Sequence, residues 1–286
     1  MNNQEILNLP PDLYSRNFII GKGIKEYKKA KNIIKAKILD VGGRNGKLDL
    51  FLDTEDELRL LDIRSGKEKN LLVGDATDMK NFSDGSFDFV VSGDVFEHIP
   101  SEKREKFIRE CLRVSKEMII LAAPFDEPGV AESEKIANEF FKKIIGTDHE
   151  WLREHINNGL PKKEELEDLI SQIGYKFSVV KSNNLKNWLL FQRAIFFAYG
   201  FSLKSHLIKS IYKFYNENIL KIENENDDFY RLIYFISKDE FSVSVGYSYD
   251  EKIRRLFEEK IFDSFATAKK GNAMFIAKKI LRLFKN

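Results

Sequence analysis

Lys37-Ile38-Leu39-Asp40-Val41-Gly42-Gly43-Arg44-Asn45-Gly46 is the stretch on which the fold turns. A short apolar run ends in paired glycines, as a buried strand does where the chain must bend sharply. Without a Cβ, such a turn also lets backbone approach a ligand closely. Lys47-Leu48-Asp49-Leu50 reads as the start of a helix whose first N–H groups would face that turn.

Working outward, the same kind of run recurs at Leu58–Ile63, Asn70–Val73, Phe87–Ser92, Met118–Ala123, Lys176–Lys181 and Tyr230–Ser237. Between them lie segments of helical periodicity: 11–35 (Leu13, Phe18, Ile19, Ile24, Tyr27), Ser101–Ser115, Glu132–Ile145, Lys162–Ile173 and 186–223. Strands alternating with helices imply right-handed βαβ units. The expected fold is α/β and Rossmann-like. It has a seven-stranded, mostly parallel sheet with helices on both faces, a helical insertion at about 186–224 and a helical C-terminal tail. The expected organisation is one domain over 11–238, followed by a helical extension over 239–286 with a basic amphipathic end.

With 286 residues, 43% of them apolar and 13% aromatic, the chain has ample material for a core, which excludes wholesale disorder. One cysteine, Cys111, excludes an internal disulfide framework and a cysteine-cluster zinc site; on the apolar face of a helical segment it reads as a buried thiol. The N-terminus shows no basic-then-apolar leader, and the apolar stretch 187–200 is short and contains Arg193, so a cytoplasmic location is expected. A net charge of +2 gives no strong nucleic-acid signal, but the charge is unevenly spread. Residues 268–286 carry six basic residues and no acid, which leaves the rest of the chain at −4. In that tail Ala273, Ile276, Ile280, Leu283 and Phe284 line one helical face and Lys278, Lys279, Arg282 and Lys285 the other. Such a helix either docks on its own domain or makes a peripheral contact with an anionic membrane.

Three carboxylates stand at successive strand ends: Asp40, Asp62 and Asp75. In open α/β sheets ligands bind outside the carboxyl ends of the strands. A dinucleotide wants Gly-x-Gly-x-x-Gly for its pyrophosphate, and Gly42-Gly43-Arg44-Asn45-Gly46 does not fit. S-adenosylmethionine instead carries an ammonium and a carboxylate. Asp40 would suit the ammonium, Asp62 the two ribose hydroxyls, and Asp75 with the Ala76 N–H the adenine. Asp75 could otherwise cap a turn, and Asp62 could pair with Arg59 or Arg64. Together with Phe82-Ser83-Asp84-Gly85-Ser86-Phe87-Asp88-Phe89-Val90-Val91-Ser92, these residues resemble the class I S-adenosylmethionine-dependent methyltransferases, in their type 11-like small-molecule branch. Arg44 departs from that family's Gly-x-Gly-x-Gly. The resemblance covers about 12–125 and implies S-adenosylmethionine as cofactor, held by Asp40, Gly42, Gly43, Gly46, Asp62, Ile63, Asp75, Ala76 and Ser92.

Gly93-Asp94-Val95-Phe96-Glu97-His98-Ile99-Pro100 follows the fourth strand, where related enzymes face the methyl group. His98 and Asp94 are the expected catalytic residues, His98 as a base whose ordinary pKa suits neutral pH. No metal is expected. Asp94, Glu97 and His98 also resemble an acid-x-x-acid-His arrangement that binds a divalent ion in some quinone and RNA-end O-methyltransferases, and a loop anchored by hydrogen bonds is a further reading of the same residues. His149 and His155, flanking Trp151, could line a substrate pocket or serve as helix caps. The phrase His149–Pro161 and the later insertion are similar to methyltransferases of surface-glycan assembly. That likeness suggests a small-molecule or glycan-type acceptor carrying a sugar hydroxyl. A non-catalytic binding module of the same fold and a dinucleotide-dependent oxidoreductase stand as alternatives.

Overall fold

The computed structural model describes residues 3–200 and 205–267. Its strands are β1 (Lys37–Val41), β2 (Glu57–Asp62), β3 (Leu71–Val73), β4 (Phe87–Gly93), β5 (Ser115–Ala123), β6 (Lys176–Asn184) and β7 (Phe229–Ser237). They form one sheet in the order β3-β2-β1-β4-β5-β7-β6. All neighbours are parallel except β7, which runs antiparallel to both β5 and β6. The strand order reverses between β1 and β4, so a crevice opens outside their carboxyl ends.

Side chains alternate across the sheet, and that alternation builds two cores. On one face Ile38, Phe89 and Val91 pack beneath Ile19, Ile20, Ile24 and Tyr27 of α2 (Pro11–Lys31), which follows the short α1 (Asn3–Leu7). On the other, Leu39, Val41 and Val90 meet Phe107, Ile108 and Cys111 of α3 (Ser101–Val114). A third, aromatic-rich cluster joins α4 (Val130–Ile145), α5 (Glu150–Asn158), α7 (Leu185–Gly200), α8 (Ser205–Ile222) and α9 (Glu251–Thr267). Deleting a buried ring such as Phe89 typically costs about 3–5 kcal/mol. α6 (Lys163–Gln172) buries Leu166 and Ile170 against the same core as α3.

Two expectations shift. The helix expected after Gly46 is a single 3₁₀ turn, Leu48–Phe51. Lys47 takes a left-handed conformation (φ 57°), and Lys28 pins the returning chain by binding Asp53 at 2.7 Å and Asp56 at 2.5 Å. The helical run expected over 186–223 is two helices, α7 and α8, lying between β6 and β7. Past β7, α9 buries Phe257 and Ile261 in the same cluster as α7 and α8. The two-faced basic segment 273–285 lies outside the described residues.

Candidate active site

The turn after β1 is built around a buried carboxylate. A Cβ at Gly43 would collide with the Asp40 carboxyl, and one at Gly42, held at φ 72°, with Val95 of the loop after β4. Both glycines are therefore required by close approach, and Gly46 closes the turn by donating its N–H to the Gly43 carbonyl at 2.8 Å. Arg44, the departure from the glycine pattern, turns its side chain away and donates to the Ser65 carbonyl at 3.0 Å, tying this turn to the loop after β2. Asn45, at φ 65°, carries a left-handed conformation that a glycine would ordinarily supply. Burial pushes the Asp40 carboxyl up to about 7; the charge of Arg16 on α2 opposes this and that of Asp49 adds to it.

The other strand-end acids are open to solvent. Asp62 accepts the Arg64 N–H at 2.8 Å, and Ile63 beside it is 73% exposed. Asp75 caps its own turn, accepting the Thr77 N–H at 2.8 Å and the Thr77 hydroxyl at 2.9 Å, which hold its carboxyl below the usual range. Ala76 is half-buried beside it. Ser92, opposite Val41 in the sheet, is buried with an unpartnered hydroxyl oxygen. The cradle emptied of Cβ atoms, the orphaned Ser92 Oγ and the three acids suit a ligand with an ammonium, a carboxylate and a diol. A pyrophosphate fits less well, because the single 3₁₀ turn offers no helix N-terminus to the glycine turn.

Asp94 does not stand as a free acid. It sits at φ 57°, its Oδ1 accepting from Arg231 Nε at 2.6 Å and its Oδ2 from Arg231 Nη2 at 2.8 Å, with Arg16 also on Oδ2. Burial would raise its pKa, but the charges of Arg16 and Arg231 overcome that and lower it. Asp94, expected as a catalytic residue, is thus clamped by two guanidiniums, an arrangement that suits holding the loop after β4. Arg231, fully buried on β7, also binds Asp12 and Asn183, each at 2.7 Å.

His98 and His155 meet across the crevice, with ring centroids 4.6 Å apart and Nε2 atoms 3.3 Å apart. Each Nδ1 faces a carboxylate at 2.8 Å, Glu154 for His98 and Glu134 for His155. Burial and the neighbouring His155 lower the pKa of His98. Glu97, 1% exposed, completes the group; burial and the charge of Asp94 raise its pKa well above the ordinary value. His149 lies apart, its ring against Phe141 and Phe196, and Trp151 beside it is 58% exposed. The two histidines that flank Trp151 in sequence thus do not share a pocket. Sequence reasoning passed over Arg16, Arg231 and Glu134. The one available signal was a lone arginine inside the apolar run Tyr230–Ser237.

A mixed, mostly parallel sheet with this order, a glycine turn over a buried acid and further acids at the next two strand ends define a Rossmann-like methyltransferase fold. Residues 39–121 match the family model described as a methyltransferase domain, a span that runs from β1 into β5. The protein thus carries a methyltransferase domain, and S-adenosylmethionine is the cofactor expected of it. Among solved structures the chain is similar to the YcgJ protein from Bacillus subtilis (15% identity, 77% of this chain and 99% of that one, TM-score 0.43). It is also similar to a SAM-dependent methyltransferase from Archaeoglobus fulgidus (17% identity, 78% and 94%, TM-score 0.45). No curated protein matches it.

Proposed function

We propose that the enzyme methylates a small polar acceptor whose reacting atom docks against His98 and His155. The observation that carries this reading is the convergence of the two Nε2 atoms, 3.3 Å apart, His155 from α5 meeting His98 from the loop that packs on the Gly42 turn through Val95. S-adenosylmethionine supplies a methyl group already activated on a sulfonium, which leaves alignment and exclusion of water to the chain. Asp40, Gly42, Gly43 and Gly46 hold its amino-acid end, Asp62 and Ile63 the ribose, Asp75, Ala76 and Ser92 the adenine side of the crevice. His98 takes the proton of a hydroxyl acceptor at Nε2, with Nδ1 oriented by Glu154. Asp94, through Arg16 and Arg231, positions the loop that carries His98.

The acceptor we favour is a sugar hydroxyl of the kind met in glycan assembly, supported by the hydrogen-bonding groups His98, His155, Glu97 and Glu154 gathered at this end. The catalytic domain is taken as 11–238, with α7 and α8 as its insertion. No helix among the described residues is long and apolar enough to cross a membrane. A peripheral membrane contact would fall to the basic tail.

The test is calorimetry with S-adenosylhomocysteine on the wild type and Asp62→Ala, beside transfer of a labelled methyl group to a panel of sugars. Hydrogen bonds to a charged group are worth about 1.5–3 kcal/mol each, so the variant should bind at least about tenfold more weakly at unchanged melting temperature. Equal affinity would remove Asp62 from the ribose.

A further inference from the structure

We infer that Glu97, His98 and His155 form a binding site for a divalent transition-metal ion of the zinc type. The argument starts from hydrogen positions. Glu154 and Glu134 accept from the histidine Nδ1 atoms at 2.8 Å, and a carboxylate can only accept, so each Nδ1 carries the ring proton. Each ring then turns its Nε2 toward the other at 3.3 Å. Two ring nitrogens at that distance need a positive centre between them, a shared proton or a metal ion, and the third group in reach favours the metal.

The spacing selects the cation. A zinc-type ion binds histidine nitrogen at about 2.0–2.1 Å, and at a tetrahedral angle two such bonds place the nitrogens about 3.3–3.4 Å apart. A third ligand is in reach: one ligand atom from each of Glu97, His98 and His155 lies within 4.8 Å of the others. Glu97 is 1% exposed, and its Oε2 has no hydrogen-bond partner. A buried carboxylate oxygen without a donor is costly unless something positive meets it. The outer groups also fit. Metal-bound histidines ordinarily donate their second N–H to a carboxylate. Glu154 and Glu134 do this here, and Glu134 is itself fixed by the Tyr230 hydroxyl at 2.8 Å.

Two nitrogens and one carboxylate suit zinc, cobalt, iron or manganese better than magnesium, which favours oxygen ligands. Three protein ligands leave a coordination position open. Asp94, engaged by Arg16 and Arg231, is not part of the set, and His155 of α5 takes the remaining place. The inference rests on the reading of this crevice as the acceptor end of a methyltransferase site. With the His98 Nε2 engaged by the ion, a ligated hydroxyl would lose its proton to solvent, its pKa lowered by the bound dication, and the acceptor narrows to groups that ligate a dication, hydroxyls foremost.

The test uses the full chain, stripped with a chelator and titrated by calorimetry with Zn²⁺, Mn²⁺, Co²⁺ and Mg²⁺ separately, with the Co²⁺ form also read by visible absorption. We expect one equivalent of Zn²⁺ or Co²⁺ per chain, Mg²⁺ far weaker, and cobalt bands of a four- or five-coordinate site. His155→Ala and Glu97→Gln should each lose at least about 100-fold in affinity, and Glu134→Gln about 10–100-fold. S-adenosylhomocysteine affinity, measured in parallel, should stay within about twofold in all three and so reports that they fold. Absence of saturable binding by Zn²⁺, Co²⁺ and Mn²⁺, or binding that survives His155→Ala, would overturn the metal site while leaving the methyltransferase reading intact. Loss of S-adenosylhomocysteine binding by the wild type would instead strike at that reading.

Discussion

Asp40 makes cofactor affinity and fold stability depend on pH in opposite directions. Its carboxyl is buried under the Gly43 turn and pushed up to about 7, with Arg16 and Asp49 the charged groups facing it. In the unfolded chain its pKa returns to 3.8. Between these values the folded state holds a proton that the unfolded state has released, so this group's contribution to stability falls as pH rises from about 4 through about 7. A shift of about three pKa units corresponds to roughly 4 kcal/mol at most, all of it expressed above the folded value. Asp40→Asn cannot ionise, so its stability relative to the wild type should rise across that window. Cofactor binding should run the other way, because an ammonium beside Asp40 favours the ionised carboxylate. If only the ionised form binds, affinity should rise about tenfold from pH 6 to pH 8. The assay is calorimetry with S-adenosylhomocysteine at pH 6, 7 and 8, with urea unfolding at the same values. A flat wild-type profile, or an equal slope in Asp40→Asn, would refute the placement of the ammonium at Asp40.

Arg231→Met removes one partner of a buried ion pair and should cost about 3–5 kcal/mol in urea unfolding, with a melting temperature lower by about 6–15 °C. His98→Ala should lower turnover by about 10²–10⁴ with little change in the Michaelis constant for the methyl donor, measured by steady-state kinetics. Truncation after Thr267 should abolish binding to anionic vesicles at low salt if the basic tail is a membrane contact, each basic residue near the surface being worth about 1 kcal/mol; a sedimentation assay decides it.

The central strands were legible because they are largely buried on both faces. Phe87–Gly93 and Met118–Ala123 read as apolar runs whatever lies beside them, and the glycine turn marks where β1 ends. The segment after Gly46 was misread because Leu48 and Leu50 satisfy a helical pattern for one turn. The decision against a helix is made by Lys28, twenty-five residues upstream of Asp53. The proposed cofactor end is built from residues close in sequence to a strand terminus, so local pattern exposes it. The acceptor end is not. His98 finds its partner at His155 and Asp94 its partners at Arg16 and Arg231, pairings that only the tertiary fold creates. His149 and His155 flank a tryptophan in sequence, yet α5 begins between them and sends them to different neighbours.

β7 enters the sheet between β5 and β6, although it is the last of the described strands to be synthesised. On the ribosome, β5 must therefore wait as an open edge while more than a hundred residues are added, and β6 has no strand to pair with until β7 emerges. Such an edge invites pairing with other chains. The same strand delivers Arg231 to Asp94, so the left-handed kink after β4 gains its clamp only once β7 has been made. A nascent chain halted before Phe229 would have the glycine turn and its acids in place, yet would leave the loop that bears His98 without its anchor.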